Sequence, residues 1–130
     1  MSDSPRRETP MAEKMAILCN GETEANIAPT LIFASSGAAL DYEVHIFFCP
    51  AGARWALKGE LEKLGQPKGL PNLVKLFNDI LELGGEMTLC ELALTNRGID
   101  PKDVRDPRIQ ITKAPPYLMK VEGAAQTYVF

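Results

Sequence analysis

Apolar runs alternate with turn residues along the whole chain, and their lengths and periods define a series of elements. Lys14 to Cys19 is a short apolar run that stops at Asn20-Gly21, a turn pair, and predicts a first strand. Residues 22–40 read as a helix, with Glu22 and Glu24 at the end where acidic side chains suit the helix dipole. Pro29 either kinks that helix or marks its true first turn. Ala34, Gly37 and Ala38 give it a small face that can lie close against a sheet. Tyr42 to Cys49 is β-branched and aromatic, ends at Pro50, and is apolar almost throughout, as suits a strand covered on both faces.

Residues 51–70 are broken by Gly52, Gly59, Gly65, Pro67 and Gly69, with a short amphipathic piece over 56–64, and predict a mobile excursion above the sheet. Arg54, Trp55 and Lys58 are candidates for lining a pocket there, although a lone tryptophan serves equally as a packing anchor. A helix begins at Asn72, places Leu73, Val74, Phe77, Ile80 and Leu81 on one face, and ends at Gly84-Gly85. A third strand then stops on Cys90 and turns at once into a helix closing at Arg97-Gly98. After a turn at 100–104 come a fourth strand at 108–112, a helix from Pro115-Pro116 to about Ala124, and a fifth strand at 126–130.

Strands alternating with helices predict an α/β domain over residues 14–130, three layers (α/β/α) around a mostly parallel five-stranded sheet, because each crossover helix must bury its apolar face on the sheet. Strand order does not follow from the pattern. Residues 1–13 are expected to be a flexible tail, since the first ten are polar and lack the apolar centre of a secretory signal. The apolar run at 27–40 is too short to cross a bilayer, so no membrane association is expected.

A formal charge of −3, with acidic residues interspersed among the Lys and Arg, argues against a nucleic-acid partner. Three cysteines without a CxxC spacing fit neither a disulfide framework nor a zinc site, and the odd count points to a reducing compartment, by default the cytoplasm.

Cys19, Cys49 and Cys90 each fall at the carboxyl end of a predicted strand, the edge at which parallel sheets bind ligands. Cys90 carries the strongest expectation, because the free N–H groups and partial positive charge of a helix start favour a thiolate. The alternative is a buried cysteine acting as a small hydrophobe, which applies also to Cys49 and Cys19. His45, the only histidine, falls inside the second strand and reads as structural, with no partner placed to make it a base. A nucleotide site is disfavoured: the first strand-to-helix turn lacks Gly-x-Gly-x-x-Gly and puts Glu22 and Glu24 where phosphates would lie. The absence of a Gly-x-Ser-x-Gly elbow disfavours a serine hydrolase.

The second strand ending in Ile46-Phe47-Phe48-Cys49, the Gly-rich excursion after it, and the Cys90 segment running to Arg97-Gly98-Ile99 together resemble the DsrE/DsrF-like family of sulfur-relay proteins, from Lys14 to Phe130. The resemblance implies a small cytoplasmic homo- or hetero-oligomer in which the cysteine at position 90 carries sulfane sulfur as a persulfide or thiosulfonate. It further implies exchange with a TusA-like sulfur carrier or a low-molecular-weight sulfane sulfur donor, and no metal or organic cofactor. Some family members have a second cysteine in the C-terminal third, where this chain has none after Cys90. Cys49 or a cysteine of another chain would serve instead, or one thiol suffices. The rival reading is an oligomeric scaffold or regulatory subunit with inert cysteines.

Overall fold

The computed structural model describes residues 12–130, so residues 1–11 of the expected tail lie outside the described part. Strand β1 (Lys14–Cys19) leads through helix α1 (Glu24–Ala39) to β2 (Glu43–Phe48), and two 3-10 helices (Pro50–Ala56 and Leu61–Leu64) lead on to α2 (Leu73–Glu82). Then come β3 (Glu86–Cys90), α3 (Leu92–Asn96), a 3-10 turn (Pro101–Asp103), β4 (Gln110–Thr112), α4 (Ala114–Lys120) and β5 (Gln126–Val129). All five strands are parallel, in the order β4-β3-β2-β1-β5. The α/β/α class expected from the sequence is the one observed.

This order explains the layers. From β1 to β4 the chain steps one strand at a time in one direction, so right-handed crossovers put their helices on one face. The return from β4 at one edge to β5 at the other passes three strands, and a right-handed crossover in that direction must run over the opposite face. The side chains agree. Met15, Ile17, Cys19, Val44, Ile46, Phe48, Met87 and Leu89 share the main core with Ile27, Leu31, Phe77 and Ile80 of α1 and α2. The alternate residues Phe47 and Cys90 instead form a second, smaller cluster with Tyr117 of α4. Strand β2 reads as continuously apolar because both of its faces are covered.

Helix α1 starts two residues later than expected, at Glu24, with Thr23 in the capping position. Asn26 Oδ1 accepts from both the backbone N–H and the hydroxyl of Thr23, which fixes the entry to the helix. Pro29 lies inside α1, where it removes only its own hydrogen bond and the helix continues past it.

The Gly-rich segment after β2 is built into the core rather than loose above the sheet. Trp55 is fully buried, and its indole N–H donates to the Gly21 carbonyl at 2.8 Å, so it is a packing anchor. A β-bridge joins Leu57 to Val104, and the Lys58 and Arg105 N–H groups donate to Asp103 and Ala56. Arg105 holds Glu62 with two parallel bonds of 3.0 and 2.9 Å, a bidentate clip between distant parts of the chain. Gly52 permits the first 3-10 helix to lie against the end of β1, since a Cβ there would sit 2.3 Å from the Cys19 carbonyl oxygen.

Two later boundaries also differ from expectation. β4 begins at Gln110, because Arg108 is drawn into a turn by Asp106, whose carboxylate accepts from its backbone and guanidinium N–H groups. α4 ends at Lys120, and the turn beyond it contains Gly123 at φ 79°, a conformation suited to glycine.

Candidate functional site

Strand β3 does end on Cys90, and α3 does start two residues later. The adjacent strands β3 and β4 pair Cys90 with Thr112, yet leave the sheet in opposite directions: β3 feeds α3 on the main-core side and β4 feeds α4 on the other. Divergence of two neighbouring connections at the carboxyl edge is the geometry that opens a binding crevice in parallel sheets. Cys90 stands at that point.

The helix-start contribution is narrower than the sequence implied. α3 has 5 residues and no side-chain cap. The Glu91 N–H, the first group after the thiol, is occupied by the Thr112 carbonyl at 2.9 Å. Cys90 is also only 4% exposed, so it does not face open solvent.

Cys49 lies beside it. The β2–β3 pairing ends at Phe48 and Leu89, one residue before Cys49 and Cys90, and Cys49 packs against the small cluster on the α4 face that contains Cys90. The Cys49 N–H donates to the Cys19 carbonyl at 3.1 Å, which keeps this residue in line with the sheet although β2 formally ends at Phe48. Cys49 is the more exposed of the pair. Cys19 does not join them: its side chain points to the opposite face and is sealed in the main core.

Burial pushes the Cys49 thiol up from its ordinary value, and the adjoining Cys90 and Cys19 push it the same way. Burial also pushes Cys19 up, partly offset by hydrogen bonding with the Thr30 side chain and the Gly21 backbone. Both thiols are therefore held protonated near neutral pH.

The cover over the pair comes from α4, which sequence reasoning did not assign to the site. Tyr117 packs on Phe47 with ring centroids 4.8 Å apart, and its hydroxyl donates to the His45 carbonyl at 3.0 Å. Burial pushes its phenol strongly upward, with the Cys49 thiol adding to that. Leu18 and Val121 complete the lining. The available signal was a lone aromatic two residues into a Pro-started helix, but nothing local says which strands that helix crosses.

His45 is buried and flanked by two carboxylates, Glu43 Oε2 at 2.5 Å from Nε2 and Glu86 Oε1 at 3.5 Å from Nδ1, in keeping with a structural role. Lys120 of α4 reaches the same Glu86 at 3.1 Å, tying the helix to the sheet. Arg54 lines a cleft of about 240 Å³ with Glu22, Glu60 and Arg97, while Lys58 lies elsewhere. Arg54 is already paired with Glu60 at 3.1 Å and Arg97 with Glu22 at 3.5 Å, so neither guanidinium is an open anion site. Among the described residues, no group of three or more His, Cys, Asp or Glu is arranged to hold a metal ion.

Comparison with known proteins gives concordant results. The model of the DsrE/DsrF-like family matches residues 13–126. An uncharacterized protein of Methanocaldococcus jannaschii, MJ0760, is 34% identical over 89 residues, which cover 68% of this chain and 32% of that protein. The match thus spans about a third of the relative's length. The crystal structure of the ychN protein from E. coli superimposes with a TM-score of 0.72 at 17% identity, covering 91% of this chain and 99% of the other, a likeness of fold.

Proposed function

The chain belongs to the DsrE/DsrF-like family, and from that premise we propose that it is a sulfur-relay protein that binds and transfers sulfane sulfur through Cys90, with Cys49 taking part. The observation that carries this reading is the juxtaposition of the two cysteines on one face of the sheet, where the β3 and β4 connections part. A thiolate at Cys90 attacks the terminal sulfur of a polysulfide. One S–S bond forms on Cys90 as one breaks in the donor, which departs shortened by a sulfur atom. With tetrathionate the same attack leaves a thiosulfonate on Cys90 and expels thiosulfate. An acceptor thiolate then takes the sulfane sulfur by the reverse exchange.

The partner is a TusA-like carrier protein or a small sulfane sulfur donor, the protein acts as a homo-oligomer, and it works in the cytoplasm, where thiols stay reduced. In support, Cys19, Cys49 and Cys90 are all free, and no helix among the described residues is long and apolar enough to cross a membrane. A second reading, a scaffold with inert cysteines, draws support from the burial of Cys90 and from the Glu91 N–H already being used.

Mass spectrometry after incubation with polysulfide or tetrathionate separates them. The wild type gains sulfur-containing mass, and Cys90→Ser, folded by circular dichroism, does not. An unmodified wild type establishes the scaffold reading, and an adduct that persists in Cys90→Ser moves the site to Cys49 or Cys19.

A further inference from the structure

We propose that Cys49 is a resolving thiol: it attacks the inner sulfur of a Cys90 persulfide, closes a Cys49–Cys90 disulfide across β2 and β3, and releases the outer sulfur as sulfide. This rests on the sulfur-carrying reading above and adds a reductive outcome to it. The chain would then turn over sulfane sulfur as well as carry it.

The register supplies the geometry. Cys49 and Cys90 each directly follow the last paired residues, Phe48 and Leu89, and the paired strands they continue stand about 4.7 to 4.9 Å apart. That lies inside the roughly 4.4 to 6.8 Å window of Cα separations that a disulfide spans. Both side chains pack in the same cluster under Tyr117, so no change of face is needed. Cys19 is excluded as the partner of Cys90, because it is enclosed on the other side of the sheet.

Leaving-group basicity decides which sulfur is attacked. Attack on the outer sulfur would move it to Cys49 and expel a cysteine thiolate, the stronger base. Attack on the inner sulfur expels hydrosulfide, a weaker base than a cysteine thiolate and so the faster leaving group. The balance is complete. Cys90–S–S⁻ and Cys49–SH give Cys49–S–S–Cys90 and HS⁻, the Cys49 proton leaving on the sulfide. In this step the Cys49 sulfur is oxidised as the outer sulfur is reduced; counted from loading, two thiols are oxidised for one sulfane sulfur released as sulfide. Further cycles require a dithiol reductant, which opens the disulfide and restores both thiols. Cys49, which burial keeps a thiol near neutral pH, brings the proton and passes it to the outer persulfide sulfur as its own thiolate forms and attacks.

The experiment follows one loading of the reduced full chain with inorganic polysulfide in the absence of oxygen. After removal of excess reagent, intact mass and sulfide release are read over time. In the wild type one added sulfur appears and then gives way to a species lacking two hydrogens, with one equivalent of sulfide per chain. Peptide mapping places the new bond between Cys49 and Cys90. Cys49→Ser keeps the added sulfur and releases no sulfide, while Cys19→Ser behaves as wild type. A wild type that retains its added sulfur without disulfide or sulfide overturns this proposal and leaves the carrier reading standing. A wild type that takes up no sulfur overturns both. Mild oxidation of the unloaded protein with diamide gives an independent readout: a Cys49–Cys90 bond is expected, and oxidation that joins any other pair, or none, counts against the proposal.

Discussion

The hydroxyl of Tyr117 donates to the carbonyl of His45 at 3.0 Å, joining α4 to the middle of β2 across 72 positions of sequence. Through that bond and the packing on Phe47, one short helix covers both Cys49 and Cys90. Tyr117→Phe removes the bond but keeps the ring, and should cost about 0.5 to 1.5 kcal/mol. Tyr117→Ala also removes the ring, and should cost about 3 to 5 kcal/mol, as other buried aromatic truncations do. Urea unfolding measures both. In the folded fraction of Tyr117→Ala, Cys90 should be alkylated faster than in wild type; an unchanged rate would mean that Tyr117 is not its cover.

Gly52→Ala tests how closely the segment after Cys49 lies against β1. The new Cβ would stand 2.3 Å from the Cys19 carbonyl oxygen and 2.9 Å from its carbon, both backbone atoms that cannot swing aside. Overpacking of this kind costs about 1 to 3 kcal/mol or more. A denaturation midpoint equal to the wild type would contradict the close approach.

The thiols should react in a defined order with limiting iodoacetamide at about pH 6.5, below the usual thiol pKa of about 8.5. Cys90, the thiol assigned to carry sulfur, is expected first, and Cys49, whose pKa burial raises, second. Cys19 comes last, being both raised and sealed in the core. Raising the pH should let Cys49 gain on Cys90, since it is the more exposed once ionised. Peptide mapping reads the order, and early modification of Cys19 would refute it.

Alkaline pH should destabilise the fold. Cys19, Cys49 and Tyr117 are all neutral when protonated, and the folded state holds each proton more tightly than the unfolded chain does. The stability they contribute is therefore full below the ordinary pKa values, about 8.5 for the thiols and about 10 for the phenol, and is lost as pH rises beyond them. Thermal melts should be level to about pH 8 and fall above it. Tyr117→Phe should shallow the fall above about pH 10. A wild-type melting temperature that stays level to about pH 11 would show that these groups ionise as easily folded as unfolded.

The sequence by itself determined the elements and their class. A strand such as Lys14–Cys19, the helix on Leu73, Phe77 and Ile80, and the stop of β3 on Cys90 are written in local periodicity and in turn residues, which act over a few neighbours. The presence of three cysteines at strand ends was legible for the same reason. Local pattern cannot say which strands are neighbours, and so could not tell that Cys49 and Cys90 adjoin while Cys19 faces away. It also could not tell that the glycine-punctuated stretch around Trp55 would be pinned by Gly21, Val104 and Arg105 instead of loose. Those partners lie tens of positions away and meet only when the sheet assembles. The cover over the thiols is the clearest case: β4 and β5 occupy opposite edges, so the helix between them has to cross the far face, and that crossing alone brings Tyr117 over Cys49 and Cys90.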